Sequence, residues 1–177
     1  MIRLATIQDS HPIGQIHVEG WRAAYRGILP DGLLAGLSVE SRAAGWRRTI
    51  ERDPRTVWVA VQSGTVVGWV SLGPSRDGVD RAGEVFALYI DPRCWRKGWG
   101  RALMHAAELE LRTRGFTSIV LWVLERNVTA LSFYTKLGYQ PDGTDKMEWF
   151  GDARLRELRL RLPLRVALVS PEARAVQ

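Results

Sequence analysis

The spacing of apolar and polar positions changes period several times along this chain, and each change marks an element. Residues 2–6 alternate by twos as a short strand, after which the apolar spacing turns helical from Asp9 or Ser10, either able to cap, to about Tyr25. A second helical stretch covers 39–52 behind the cap residue Ser38. Val57, Val59 and Val61 then alternate within 56–62, Ser63-Gly64 supplies a tight turn, and 65–72 returns as the second arm of a hairpin. Residues 73–78, Gly-Pro-Ser-Arg-Asp-Gly, form a polar loop.

The next stretch, 84–90, reads Glu-Val-Phe-Ala-Leu-Tyr-Ile without a breaker, the pattern of a strand covered on both faces; Asp91-Pro92 ends it, because proline cannot continue a sheet ladder. Beyond a basic turn, Leu103, Met104, Ala107 and Leu111 recur at helical spacing, with Gly115 as the stop. A buried strand over 117–124 and a helix over 128–137 follow, the latter with Ala130, Phe133, Tyr134 and Leu137 on one face. Two strands, 144–150 and 154–162, close the series. The last alternates Arg and Leu except for a slip after Leu155, which reads as a bulge. Residues 1–162 thus form a single α/β domain of about seven strands and about four helices, and 163–177 are expected to be a loose tail.

The turn between the strand at 84–90 and the helix that follows carries the most chemistry. A helix's first turn has backbone N–H groups without partners, and glycines let an anion approach them with no Cβ in the way. Gly98 and Gly100 stand there, with Arg96, Lys97 and Arg101 adding positive charge. The spacing is not that of a dinucleotide fingerprint, since Leu103 occupies the place of a third glycine, and no Gly-Lys-Ser/Thr of a P-loop is present. A phosphate-holding junction of another kind is expected.

Composition narrows the alternatives. The 177 residues are 46% hydrophobic, enough for one sizeable core and short for two. One cysteine and three histidines without ligand-like spacing exclude a Cys/His zinc site and a disulfide framework, so no metal is expected. Cys94 has no histidine or carboxylate neighbour in sequence to mark a nucleophile. The formal charge of +6 and pI near 10.1 suit a polyphosphate or an acidic partner, whereas the arginines are dispersed without a basic tail, which makes nucleic acid an unlikely partner. No apolar run reaches membrane-spanning length, and Arg3 and Asp9 so near the start do not read as a signal peptide; the expectation is a cytoplasmic protein with no membrane partner.

The turn resembles motif A of the GNAT superfamily of N-acetyltransferases, Gln or Arg, two residues, Gly, one residue, Gly or Ala: Gly98 and Gly100 match, and Trp95 stands at the first position with Arg96 one place later. Asn127, followed by Tyr134-Thr135-Lys136-Leu137-Gly138-Tyr139, is similar to the family's motif B. The resemblance covers roughly 2–162 and implies the GNAT fold, in which the fourth and fifth strands of a mixed, mostly antiparallel sheet splay apart to receive the pantetheine arm of acetyl-CoA. It further implies cofactor contacts from the backbone of Leu88, Tyr89 and Ile90, from Arg96, Lys97, Gly98, Trp99, Gly100 and Arg101, and from Asn127. Tyr134 resembles the family's general acid. Glu84 stands in the family's usual place for a base acting directly or through water.

Trp21 and Tyr25, four apart on one helical face, begin a run Trp-Arg-Ala-Ala-Tyr-Arg-Gly-Ile-Leu-Pro that resembles a bacterial GNAT subgroup of mostly unassigned substrate. The resemblance places them at the acceptor pocket; helical spacing alone would also suit core. Two functions follow as expectations. The first is acetyl-CoA-dependent transfer to the primary amine of a small molecule or peptide by direct attack in a ternary complex. The second is a non-catalytic acyl-CoA-binding or assembly protein. Relatives often pair, so a homodimer is a further possibility.

Overall fold

The computed structural model describes residues 1–164. β1 (Ile2–Leu4) leads through a short 3-10 turn into α1 (Ser10–Ala24), α2 (Asp31–Ala35) and α3 (Val39–Arg52). β2 (Val57–Gln62), β3 (Thr65–Pro74) and β4 (Ala82–Ile90) come next, then α4 (Trp99–Thr113), β5 (Ser118–Leu124), α5 (Val128–Lys136), β6 (Gln140–Phe150) and β7 (Ala153–Pro163). All seven strands form one sheet in the order β1-β2-β3-β4-β5-β7-β6, antiparallel except where β4 lies beside β5. This is the expected mixed α/β sheet.

Helices cover both faces, which is why β2 and β3 are apolar nearly throughout. On one face Leu103, Met104, Ala107 and Leu111 of α4 pack with Val70, Leu72 and Val85, and with Ile119, Leu121 and Leu160 of β5 and β7. On the other, Ile13 and Ile16 of α1 and Ile50 of α3 pack with Val57, Val59 and Trp69. The β2–β3 hairpin turns on Ser63 and Gly64, both with positive φ (48° and 77°), the conformation a two-residue hairpin loop needs to match strand twist.

Several boundaries differ from the sequence expectation. A fifth helix, α2, follows Pro30, because Leu34 finds a buried place against Leu29 and Leu124. β6 starts at Gln140, earlier than expected, with a pairing irregularity between Pro141 and Asp145. β7 runs to Pro163, and Leu164 is buried with its N–H donating to Thr117 C=O at 2.8 Å, so the ordered chain passes the expected limit of 162. The rest of the expected tail lies outside the described residues.

No bulge follows Leu155. β7 pairs with β6 in unbroken register from Ala153 to Leu158, and the apparent slip arises because Leu155 faces a different core from Leu158, Leu160 and Leu162. Leu155 joins Leu29, Leu34 and Leu124 on the α1–α2 side. The bulge sits instead on β4: Ser71 pairs with Ala87 and Leu72 with Val85, leaving Phe86 as the extra residue. That shifts the alternation. Glu84 and Phe86 share a face, but Leu88 packs with the α4-side core while Ala87 and Tyr89 turn toward α1.

Candidate active site

β4 and β5 pair over three residues only, Ala82 with Ser118, Gly83 with Ile119 and Glu84 with Val120, and then part. Residues 85–90 have no ladder partner on the β5 side, so a wedge with hydrogen-bonding main chain along one wall opens toward the carboxyl ends of two parallel strands. At the mouth of the wedge lies the basic turn. Gly98 caps α4 with φ +86°, a left-handed conformation that suits glycine, and a Cβ there would meet nothing within 4 Å. The first internal bond of α4 runs from Ala102 N–H to Gly98 C=O at 3.1 Å, which leaves the N–H groups of Trp99, Gly100 and Arg101 without helical partners. Gly100 lies close to α5, where a Cβ would stand 3.2 Å from the Phe133 ring.

The other residues of the turn divide by side-chain placement. Arg96 has φ +60°, and Arg96 and Lys97 are exposed beside the turn. The Trp99 indole N–H reaches Gln62 Oε1 at 3.3 Å, away from the turn, and Arg101 borders a groove with Ile2, Trp58 and His105 on the β1–β2 side of α4. These two residues face the turn through main chain. Trp95 donates its indole N–H to Ile90 C=O at 2.9 Å, so one of the expected β4 main-chain groups has a partner. Asn127 is buried, and its side-chain oxygen accepts from Ala130 N–H at 3.1 Å to cap α5.

Three tyrosines from three elements meet at the wedge. Tyr25, at the end of α1, shares a 3.0 Å hydroxyl hydrogen bond with Tyr89 of β4. Tyr134 of α5 packs edge-on against Phe133 and Tyr139, with ring centroids 5.1 and 5.9 Å away. Burial pushes all three hydroxyls above the ordinary tyrosine range, so each is protonated at neutral pH. No hydrogen bond among the described residues uses the Tyr134 hydroxyl. Trp21 packs edge-on against Tyr25 with centroids 5.3 Å apart, beneath the Arg42 guanidinium, and joins the Leu29, Leu34 and Leu124 cluster.

Glu84 is fully buried at the apex of the wedge. Its Oε2 accepts from Arg76 main-chain N–H at 2.8 Å, and its Oε1 accepts from Arg76 Nε at 3.0 Å and from Nη2. The Arg76 guanidinium also lies 4.6 Å over the Phe86 ring. Beyond this pair, Trp122 donates to Asp77 at 2.8 Å, Arg159 reaches Asp142 at 2.7 Å, and Lys146 sits 4.4 Å over the Trp122 ring and 3.4 Å from Glu157. Sequence reasoning did not single out Arg76, Trp122, Lys146 or Glu157 as site residues. For Glu157 a signal existed: it is the lone carboxylate in the Arg/Leu alternation of β7.

This geometry agrees with what known proteins share with the chain. The family model described as Acetyltransferase (GNAT) family matches residues 18–139. An uncharacterized N-acetyltransferase of Bacillus subtilis, YuaI, is 33% identical over 166 residues, 92% of each chain. A mycothiol acetyltransferase of Amycolatopsis mediterranei is 34% identical over 131 residues, 63% of this chain and 44% of that protein. Among solved structures, the PaiA N-acetyltransferase of Thermoplasma acidophilum in complex with coenzyme A superposes with a TM-score of 0.74 at 22% identity, covering 90% of this chain and 96% of that one. The chain belongs to the acetyltransferase (GNAT) family, whose acyl donor is acetyl-CoA. It is an N-acetyltransferase.

Proposed function

We propose that the protein moves the acetyl group of acetyl-CoA directly to a primary amine of a small molecule or peptide, with no covalent enzyme intermediate. One observation carries this reading: the unpartnered stretch of β4 at 85–90 leads into the left-handed Gly98 and the open first turn of α4. An extended amide chain ending in a diphosphate matches that surface, the amides along the strand and the phosphates at the helix start. The main chain of Leu88 would pair with the pantetheine, whereas Tyr89 is bonded through its main chain to Trp69 of β3 and turns from the wedge; the N–H groups of Gly98, Trp99, Gly100 and Arg101 would meet the diphosphate, while Arg96 and Lys97 supply charge. Ile90 would offer its carbonyl only if Trp95 releases it. Asn127 spends its side-chain oxygen on the α5 cap, leaving its amide N–H groups for the cofactor side.

The chemistry needs a donor at the carbonyl oxygen, an acid for the thiolate and a base for the ammonium. A β4 N–H aimed at the developing oxyanion contributes about 3–4 kcal/mol. Tyr134, protonated and free of protein hydrogen bonds, is placed to give its proton to the leaving sulfur. Glu84 is poorly suited to act as base, since it is fully buried and Arg76 takes three of its four lone-pair sites. We therefore give Glu84 a positioning role, holding Arg76 over Phe86. Trp21 and Tyr25 would wall the acceptor pocket.

A non-catalytic acyl-CoA-binding protein is not favoured, because the relatives that match along most of the chain are N-acetyltransferases. The test is calorimetric titration with acetyl-CoA, followed by thiol release across a panel of spermidine, kanamycin and an alanine-ended peptide. Binding followed by amine-dependent thiol release is expected. Absence of binding heat would remove the cofactor assignment, and binding without amine-dependent release would remove the transferase role.

A further inference from the structure

Glu157 lies on β7 opposite Leu124, the last residue of β5, and opposite Lys146 of β6. Paired residues share a face, and Leu124 packs with Trp21, Tyr25 and Leu29, so Glu157 looks onto the α1–α2 side of the sheet, beside the proposed acceptor wall. Its side chain is 15% exposed, with the Lys146 ammonium at 3.4 Å.

Glu84 and Glu157, both on this face, differ in one respect that matters for proton transfer. Glu84 is fully buried and accepts three hydrogen bonds from Arg76, so an incoming proton finds one remaining lone pair, on an oxygen closed off from solvent. Glu157 has one ionic partner, Lys146, at the longer distance of 3.4 Å, and that ammonium is also drawn to the face of Trp122. An incoming alkylammonium can take the place of Lys146 on Glu157 while Lys146 keeps its seat on the indole. Burial raises the Glu157 carboxyl above the ordinary glutamate range; Lys146 and Arg76 oppose the shift, and Glu148 on β6 adds to it. A base so shifted is better matched to an ammonium than an ordinary carboxylate.

We infer that Glu157 is the carboxylate that receives the acceptor ammonium and takes its proton. This rests on the transferase reading above. In the step, an N–H bond of R–NH3+ breaks and an O–H bond forms on Glu157, freeing the lone pair. The nitrogen then bonds to the thioester carbonyl carbon as the C–S bond breaks. The second nitrogen proton leaves as the amide forms, the thiolate is protonated from Tyr134, and solvent restores both residues. Net, one ammonium and one thioester give one amide, one thiol and one proton.

The test compares wild type with Glu157→Gln and Glu157→Asp, using the panel amine with the fastest thiol release. Glu157→Gln should lower kcat/KM for the amine about 100-fold or more, leave the acetyl-CoA dissociation constant within about twofold, and abolish the acidic limb of the pH–rate profile. Glu157→Asp should keep that limb and recover part of the rate. Carbon-13 NMR of glutamate carboxyls supplies a readout that needs no acceptor: the resonance lost in Glu157→Gln should titrate above the ordinary value of about 4.3. A titration at or below that value, or a Gln variant within about threefold of wild type, overturns the assignment. Loss of acetyl-CoA binding by the wild type would instead strike the transferase reading itself.

Discussion

Replacing Glu84 by Gln separates a structural carboxylate from a catalytic one. The wild-type side chain is fully buried and accepts from the Arg76 main chain at 2.8 Å and from its guanidinium through Nε at 3.0 Å and through Nη2. Gln can keep an oxygen on the main-chain N–H, but its amide nitrogen then faces the guanidinium, donor against donor. Two charge-assisted hydrogen bonds are lost, each worth about 1.5–3 kcal/mol between dry partners. The Arg76 side chain is 62% exposed, so water takes over most of its solvation and the two together fall to about 1.5–2 kcal/mol. For a chain of this size, that corresponds to a fall in Tm of about 3–8 °C. Thermal unfolding followed by circular dichroism measures it, and thiol release on the same preparations gives kcat/KM. Stability should fall by that amount while kcat/KM changes less than about tenfold. A loss of about 100-fold or more at unchanged Tm would show that Glu84 does the proton transfer, and the positioning role would be refuted.

Other perturbations probe the remaining parts. Tyr134→Phe removes a hydroxyl that makes no protein hydrogen bond, so Tm and acetyl-CoA affinity should hold while kcat falls by about 100-fold or more; an unchanged kcat removes the proton-donor role. His17 is buried among Trp21, Trp46, Trp69 and Tyr89, accepts from Trp46 Nε1 at 3.1 Å, and is held neutral by burial, its pKa pushed down to about 3. Below the unfolded value of about 6.5 the unfolded chain binds the proton that the folded chain refuses, so stability falls with acidification between about pH 6.5 and 3, by up to about 1.4 kcal/mol per pH unit. Denaturant titrations at several pH values should show this slope. His17→Phe should flatten it, and an equal slope in the variant would refute the linkage.

The glycine turn before α4 and the aromatic face of α5 were legible because their signals are local. A strand-breaking Asp91-Pro92, two glycines and a helix start within about ten residues define a strand–turn–helix junction with open N–H groups whatever surrounds them. The same holds for Ser63-Gly64, whose paired positive φ angles follow from the turn itself. Periodicity was less informative where two cores compete for one strand. In β7 the offset of Leu155 imitates a bulge, because an apolar residue facing the α1–α2 cluster is as well buried as one facing α4. In β4 the true bulge left no trace, since 85–90 is apolar or aromatic in either phase.

By itself the chain determined most of its elements, their order and the basic, glycine-containing character of the turn before α4, all of which depend on neighbours a few residues away. Tertiary structure decided the rest. It set how far β4 and β5 run together before parting, it gave Glu84 to Arg76, and it brought Tyr25 to Tyr89 across 64 residues and Glu157 to Lys146 and Leu124. A buried carboxylate's role depends on which partners fill its lone pairs, and those partners come from strands and loops whose register no local pattern encodes.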